Sequence, residues 1–144
     1  MARVLPTAVS ALLLLSLFHG PSRAEQLGVA FVEAPELSYG VCFAAGPEKG
    51  FACARKKCIT NGGETESCQA VKWCHPAGWS VDLFVQHAEG LHWHEYLCGW
   101  PSKADAVAAA GLRCTGSGRG KLLQCEVVGV WTPDGTHQKM PDGS

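Results

Sequence analysis

The chain has 144 residues, 47% of them hydrophobic, with 12 basic and 13 acidic side chains and a formal net charge of −1. That length suits one domain, and with no basic field to hold a phosphate backbone, nucleic acid is excluded as a partner.

In chain order, the first segment reads as a targeting signal. MARVLPTAVSALLLLSLFHGPSRA has a basic residue at Arg3, an apolar run centred on residues 11–18, and small residues at Ser22 and Ala24 where a signal peptidase would read them. The run is too short, and broken too soon by His19-Gly20-Pro21, to span a bilayer. Cleavage after Ala24 leaves residues 25–144 with no membrane span. Without Arg3 and Arg23, ten basic residues face thirteen acidic ones. All eight cysteines lie in the exported part, which points to disulfides and to a secreted or periplasmic location. The sequence has no C-x-x-C pair, which argues against a zinc ribbon or a thioredoxin-type centre.

A leading strand is expected over 27–32 and another at Tyr39–Phe43. Gly46-Pro47-Glu48 then opens a helix, with proline at the first helical position and glutamate in the first turn. Thr60-Asn61-Gly62-Gly63 stops it, and Cys68–Cys74 forms the next strand. Trp79–His87 and Leu91–Gly99 flank a turn at Ala88-Glu89-Gly90 and read as a hairpin. Ser102, with Asp105 three residues on, caps an alanine-rich helix over 103–113, and a strand follows at 122–131. The polar tail 132–144, with its Asp-Gly turns, is expected to fray.

Sliding the chain by 56 residues sets Cys42 on Cys98, Ala54 on Ala110, Cys58 on Cys114 and Gly62 on Gly118. One inserted residue later, Cys68 falls on Cys125 and Val71 on Val128. The chain therefore reads as an internal duplication. The expected fold is α+β: a mainly antiparallel sheet with two helices on one face, built from two βαβ pseudo-repeats (39–74 and 95–131) plus a central hairpin, all within residues 25–131.

The repeat constrains the disulfides. Cys42 and Cys58 lie roughly 20 Å apart at the two ends of one helix, too far to bond, and the same holds for Cys98 and Cys114. Cys58–Cys68 and Cys114–Cys125 can form identically in both copies. Cys53 and Cys74 have no cysteine counterparts, so Cys53–Cys74 is expected, and the remaining equivalents suggest Cys42–Cys98.

An alanine-rich helix ending in cysteine, a glycine-rich loop and a Cys-x-Val-Val strand, duplicated behind a signal peptide, resembles a family of small secreted bacterial domains of unknown function. Ala104–Cys114 with Cys125–Val128 carry the resemblance, and Ala52–Cys58 with Cys68–Val71 more loosely. It implies the fold and export, and nothing about chemistry. Cys53 and the histidine-rich hairpin depart from the pattern.

Three functions compete. If Glu89-Gly90 form a two-residue turn, His87 stands opposite His92 and shares its face with His94, a workable nitrogen set for Zn²⁺ or Cu²⁺. A loop one residue longer moves His87 to the other face. Catalysis has less support. Paired cysteines offer no thiolate, and no nucleophile, zinc or phosphate-loop motif occurs, although Asp82 and Glu95 could act as paired carboxylates if they share a face. The reading preferred is a non-catalytic binding or interaction protein without a cofactor, whose partner is a protein or a glycan. Trp79, Trp93 and Trp100 are its candidate anchors if they prove exposed.

Overall fold

The computed structural model describes residues 26–116 and 119–140; the expected signal peptide lies outside them. The order is β1 (Gly28–Ala34), β2 (Ser38–Ala44), α1 (Pro47–Thr60), β3 (Gln69–Cys74), β4 (Trp79–His87), β5 (His92–Trp100), α2 (Lys103–Thr115), β6 (Leu122–Trp131) and β7 (His137–Lys139). The fold is α+β, and its strands pair antiparallel throughout. They form two sheets, ordered β2-β1-β3 and β5-β4-β6-β7, where the sequence suggested one.

The two sheets share a plan. The order β2-β1-β3 recurs as β5-β4-β6, with a helix between the second and third strands each time. The repeated unit is therefore ββαβ. The expected repeats, 39–74 and 95–131, each lacked their first strand, because β1 and the N-terminal arm of the hairpin carry no cysteine to mark them.

Alternation along each strand divides its side chains between two layers. In β1, Ala30, Val32 and Ala34 pack with Ala54 and Cys58 of α1, while Val29 and Phe31 face Tyr96 and Trp131 of the second sheet. In β4, Val81, Leu83 and Val85 meet Ala106 and Ala110 of α2. Each helix thus covers one face of its own sheet, and the sheets meet at their other faces. Phe31 binds the halves together, stacking on Tyr96 at 4.6 Å and meeting Trp131 edge-on at 5.7 Å. Such aromatic pairs contribute about 0.5–1.5 kcal/mol beyond area burial.

The helix ends are set by local chemistry. Pro47 sits in the first turn of α1 behind Gly46, and Ser102 Oγ accepts from the Asp105 amide at 3.1 Å to start α2. Close packing of α1 on β2 requires glycine at position 40, where a Cβ would lie 1.9 Å from the carbonyl oxygen of Ala54. The tail expected to fray is ordered through residue 140. Thr132 and Asp134 hold a turn through the amide of Thr136, and β7 then pairs with β6 as an edge strand.

Four disulfides join the eight cysteines. Cys58–Cys68 and Cys114–Cys125 close the helix-to-strand loops in both copies. The other two are Cys42–Cys53 and Cys74–Cys98, in place of the expected Cys53–Cys74 and Cys42–Cys98. The cause is a β-bulge. Trp79 pairs with Trp100 but Val81 with Leu97, so β5 carries one extra residue there, and Gly99 at φ +86° is the residue suited to absorb it. By sheet position the counterpart of Cys42 is Leu97: each faces its own helix, Cys42 opposite Ala30 and Leu97 opposite Val81. Cys98 is turned to the opposite sheet, where it meets Cys74.

Among the described residues no helix is long and apolar enough to cross a membrane.

Candidate functional site

The layer between the sheets is apolar at its centre and polar toward one end. Two registered rows build it. Phe31 opposite Val41 in the first sheet, and Asp82 opposite Tyr96 in the second, form the inner row. Glu33 opposite Tyr39, and Phe84 opposite His94, form the outer row. Beyond these the sheets part around a cleft of about 340 Å³, lined by the β1–β2 turn from Pro35 to Ser38 and by His92, Trp93 and His94 on β5. Glu36, at the tip of that turn, holds a left-handed backbone at φ +63°.

Asp82 is buried, and its Oδ1 accepts a 2.7 Å hydrogen bond from Nδ1 of His94. That bond holds the His94 imidazolium above its ordinary pKa; burial opposes the shift, and the negative charges of Asp82 and Glu33 add to it. Tyr39 stacks on one side of the ring at 6.4 Å, Tyr96 lies nearly parallel at 6.3 Å, and Phe84 meets it edge-on at 5.4 Å. Glu33 is half-buried, and loss of solvent raises its pKa, with His94 opposing. Burial also raises the phenols of Tyr39 and Tyr96. The Tyr96 hydroxyl is buried and, among the described residues, has no hydrogen-bond partner.

The hairpin register differs from the expected one. Gln86, rather than His87, stands opposite His92, because residues 88–90 make the longer loop, closed by His87 N–H donating to the Leu91 carbonyl at 2.8 Å. His92 and His94 therefore face the cleft, while His87 turns to the far side of the sheet, where its ring lies over Gly120. A nitrogen set for Zn²⁺ or Cu²⁺ retains only two of its three members. Among the described residues no group of three or more His, Cys, Asp or Glu stands within metal-holding distance.

Asp82 and Glu95 also lie on opposite faces. Glu95 is turned outward, accepting from Arg119 Nη2 at 2.8 Å and from Trp93 Nε1 at 3.0 Å. The Arg119 hydrogen bond holds its carboxyl below the usual range. Trp79, Trp93 and Trp100 are each half-buried against the α2 core, so none is an exposed anchor. Trp93 lines the cleft and Trp100 a separate apolar groove.

The sequence reading missed Glu33, Tyr39 and Tyr96. For Glu33 a signal existed: it is the sole charge in the apolar strand Gly28–Ala34, at the same parity as Val29 and Phe31. Finding the others required knowing that two sheets face each other.

Chemically, a histidine fixed at Nδ1 by a buried carboxylate has Nε2 left to give or take a hydrogen bond. Ser38, at the edge of the cleft, is no nucleophile beside it, since its hydroxyl donates to the Cys58 carbonyl at 2.7 Å. In class, this is a disulfide-linked α+β sandwich of two ββαβ units, with an aromatic and acidic cleft between them. No family model, curated protein or solved structure matches the chain.

Proposed function

We propose that the chain is exported, losing residues 1–24, and acts in a secreted or periplasmic setting as a non-catalytic binding protein whose ligand enters the cleft beside His94. The observation that carries this reading is the construction of the cleft. Its two walls come from different sheets, the Cys74–Cys98 bridge ties those sheets together, and the His94–Asp82 bond fixes the polar group between them. A cleft preformed in this way lowers the ordering cost of binding. Its volume suits one amino-acid side chain or one sugar ring. The disulfides and the resemblance to small secreted domains support export.

The test is a ligand-observed NMR screen of the oxidised protein with amino-acid amides and monosaccharides, repeated with Tyr39→Ala. Ligands that perturb His92 and His94 in the wild type, and whose effects vanish in the variant, meet the expectation. A screen in which every hit binds the variant equally well would end the reading.

A further inference from the structure

We infer that the group received in this cleft is cationic: the guanidinium or ammonium of a basic side chain on a polypeptide partner. The inference rests on the cleft being the binding site and names what it selects.

Charge comes first. The lining carries Glu33 and Glu36 and neither lysine nor arginine. The charge of His94 is already matched by Asp82, at 2.7 Å. Among the described residues the ion pairs are those of His87, His94, Arg113 and Arg119, and none uses Glu33 or Glu36. With the Asp82–His94 pair neutral overall, two carboxylates remain uncompensated at the mouth. One of them, Glu33, is desolvated enough for its proton affinity to rise. A cation placed beside it would relieve that desolvation, whereas an anion would meet like charge.

The walls agree with this. Tyr39 of the first sheet faces Phe84, His92 and His94 of the second across the opening, and ring faces attract guanidinium and ammonium groups more than neutral ones. Stacking alone would also suit a sugar; the unpaired carboxylates favour the cation.

A buried hydroxyl behind the lining supplies a second observation. One residue pair deeper than His94, Tyr96 is only 3% exposed, lies near the negative charges of Asp82 and Glu33, and its hydroxyl has no hydrogen-bond partner among the described residues. A phenolic hydroxyl gives one hydrogen bond and can accept others. Nearly all buried polar atoms in proteins are paired with protein, water or ligand, so this hydroxyl calls for a partner from outside the chain. One water that links it to an N–H donor seated in the cleft fits that need.

The experiment uses the oxidised chain and four probes: N-acetyl-arginine methylamide, its lysine analogue, its neutral citrulline analogue, and N-acetylglucosamine. Binding is followed by the His92 and His94 ring resonances. The basic probes are expected to bind about ten-fold or more tightly than citrulline, with affinity falling as salt rises. Glu33→Gln should remove most of that preference, and Tyr39→Ala should weaken all binding. Equal affinity for citrulline, or sugar binding unaffected by Glu33→Gln, would overturn the cationic assignment while leaving the cleft as a binding site. Silence of the cleft resonances toward all four probes would overturn both. A basic peptide that binds at least as well as the amide identifies a polypeptide source; one excluded while the free amide binds would assign the site to small organic cations and overturn the partner named here.

Discussion

Removing His94 and removing its partner should not be equivalent. Asp82 is 3% exposed and gives Oδ1 to His94 at 2.7 Å. His94→Ala would leave a carboxylate in the inter-sheet layer without its donor, and breaking a buried pair from one side costs about 3–5 kcal/mol. Water at the mouth, where the His94 side chain is 27% exposed, places the loss near the low end, about 3 kcal/mol. Asp82→Asn keeps a hydrogen-bonding group and leaves an imidazole free to shed its proton, so about 1 kcal/mol is expected. The double variant removes both charges and should lose about 2 kcal/mol, less than the sum of the single losses.

The pH dependence has a definite sign. His94 has a folded pKa raised chiefly by the Asp82 hydrogen bond. The stability it contributes is fully present below the unfolded histidine value of about 6.5 and is lost as pH rises through the folded value. The Asp82→Asn penalty, measured by urea unfolding of the oxidised protein, should therefore be larger at about pH 6 than at about pH 9. A His94→Ala loss smaller than that of Asp82→Asn, or a penalty flat across this range, would refute the pairing.

Other outcomes follow from the same structure. Replacing Cys74 and Cys98 by serine opens a loop of sequence separation 24 and should cost about 3 kcal/mol, and a non-reducing peptide map should join those two cysteines. Gly40→Ala sets a methyl group against the Ala54 carbonyl and should lose about 3 kcal/mol in urea unfolding; Gly46→Ala, where the added carbon meets nothing within 4 Å but glycine is the better cap for α1, should lose about 1 kcal/mol at most. Glu33 has a folded pKa raised by burial, so its effect on stability turns unfavourable as pH climbs from the unfolded value of about 4.3 through the folded one. Glu33→Gln should thus raise the urea midpoint at about pH 7 and leave it unchanged at about pH 3. Glu95 has the opposite sign: its pKa is lowered by Arg119, so its contribution is present above about pH 4.3 and lost as pH falls through the folded value, and Arg119→Ala should lower the urea midpoint at about pH 7 with a penalty that fades as pH falls through that range.

The parts of this fold that the sequence announces are those with local chemistry. Pro47 and Ser102 mark helix starts because an orphan amide needs proline or a capping oxygen there. Cys58–Cys68 and Cys114–Cys125 are legible because each closes one short loop inside one copy. Failures began where a single residue decides which face a strand presents. The bulge at Gly99 reverses Cys98 and exchanges two disulfides, and one more residue in the hairpin loop removes His87 from the company of His92 and His94. Strand β1 was seen without its role, since nothing in GVAFVEA announces that Phe31 will stack on a ring some sixty positions later.

Duplication explains why a polar site should sit between the copies. A ββαβ unit has a sheet with one face covered by its helix and one bare, and a second copy covers the bare face without any new element. Identical copies of the first unit would repeat the apolar row of Phe31 and Val41 and would set two glutamates together in the outer row. The copies instead differ at matching sheet positions: Asp82 and Tyr96 stand in the second where Phe31 and Val41 stand in the first, and Phe84 and His94 where Glu33 and Tyr39 stand. Each charged residue is thereby set among rings, with Asp82 and Tyr96 beside Phe31 and Glu33 near His94. The exchange sacrifices hydrophobic burial at the mouth. Two disulfide-closed units joined by Cys74–Cys98 can tolerate that sacrifice, because a covalent link at the apolar end of the layer, opposite the mouth, holds the sheets together. Reversing it should therefore separate stability from binding: Asp82→Leu with His94→Leu, which removes both members of the ion pair together, should match or exceed the wild type in urea unfolding, and should abolish the response of the His92 ring to the arginine probe.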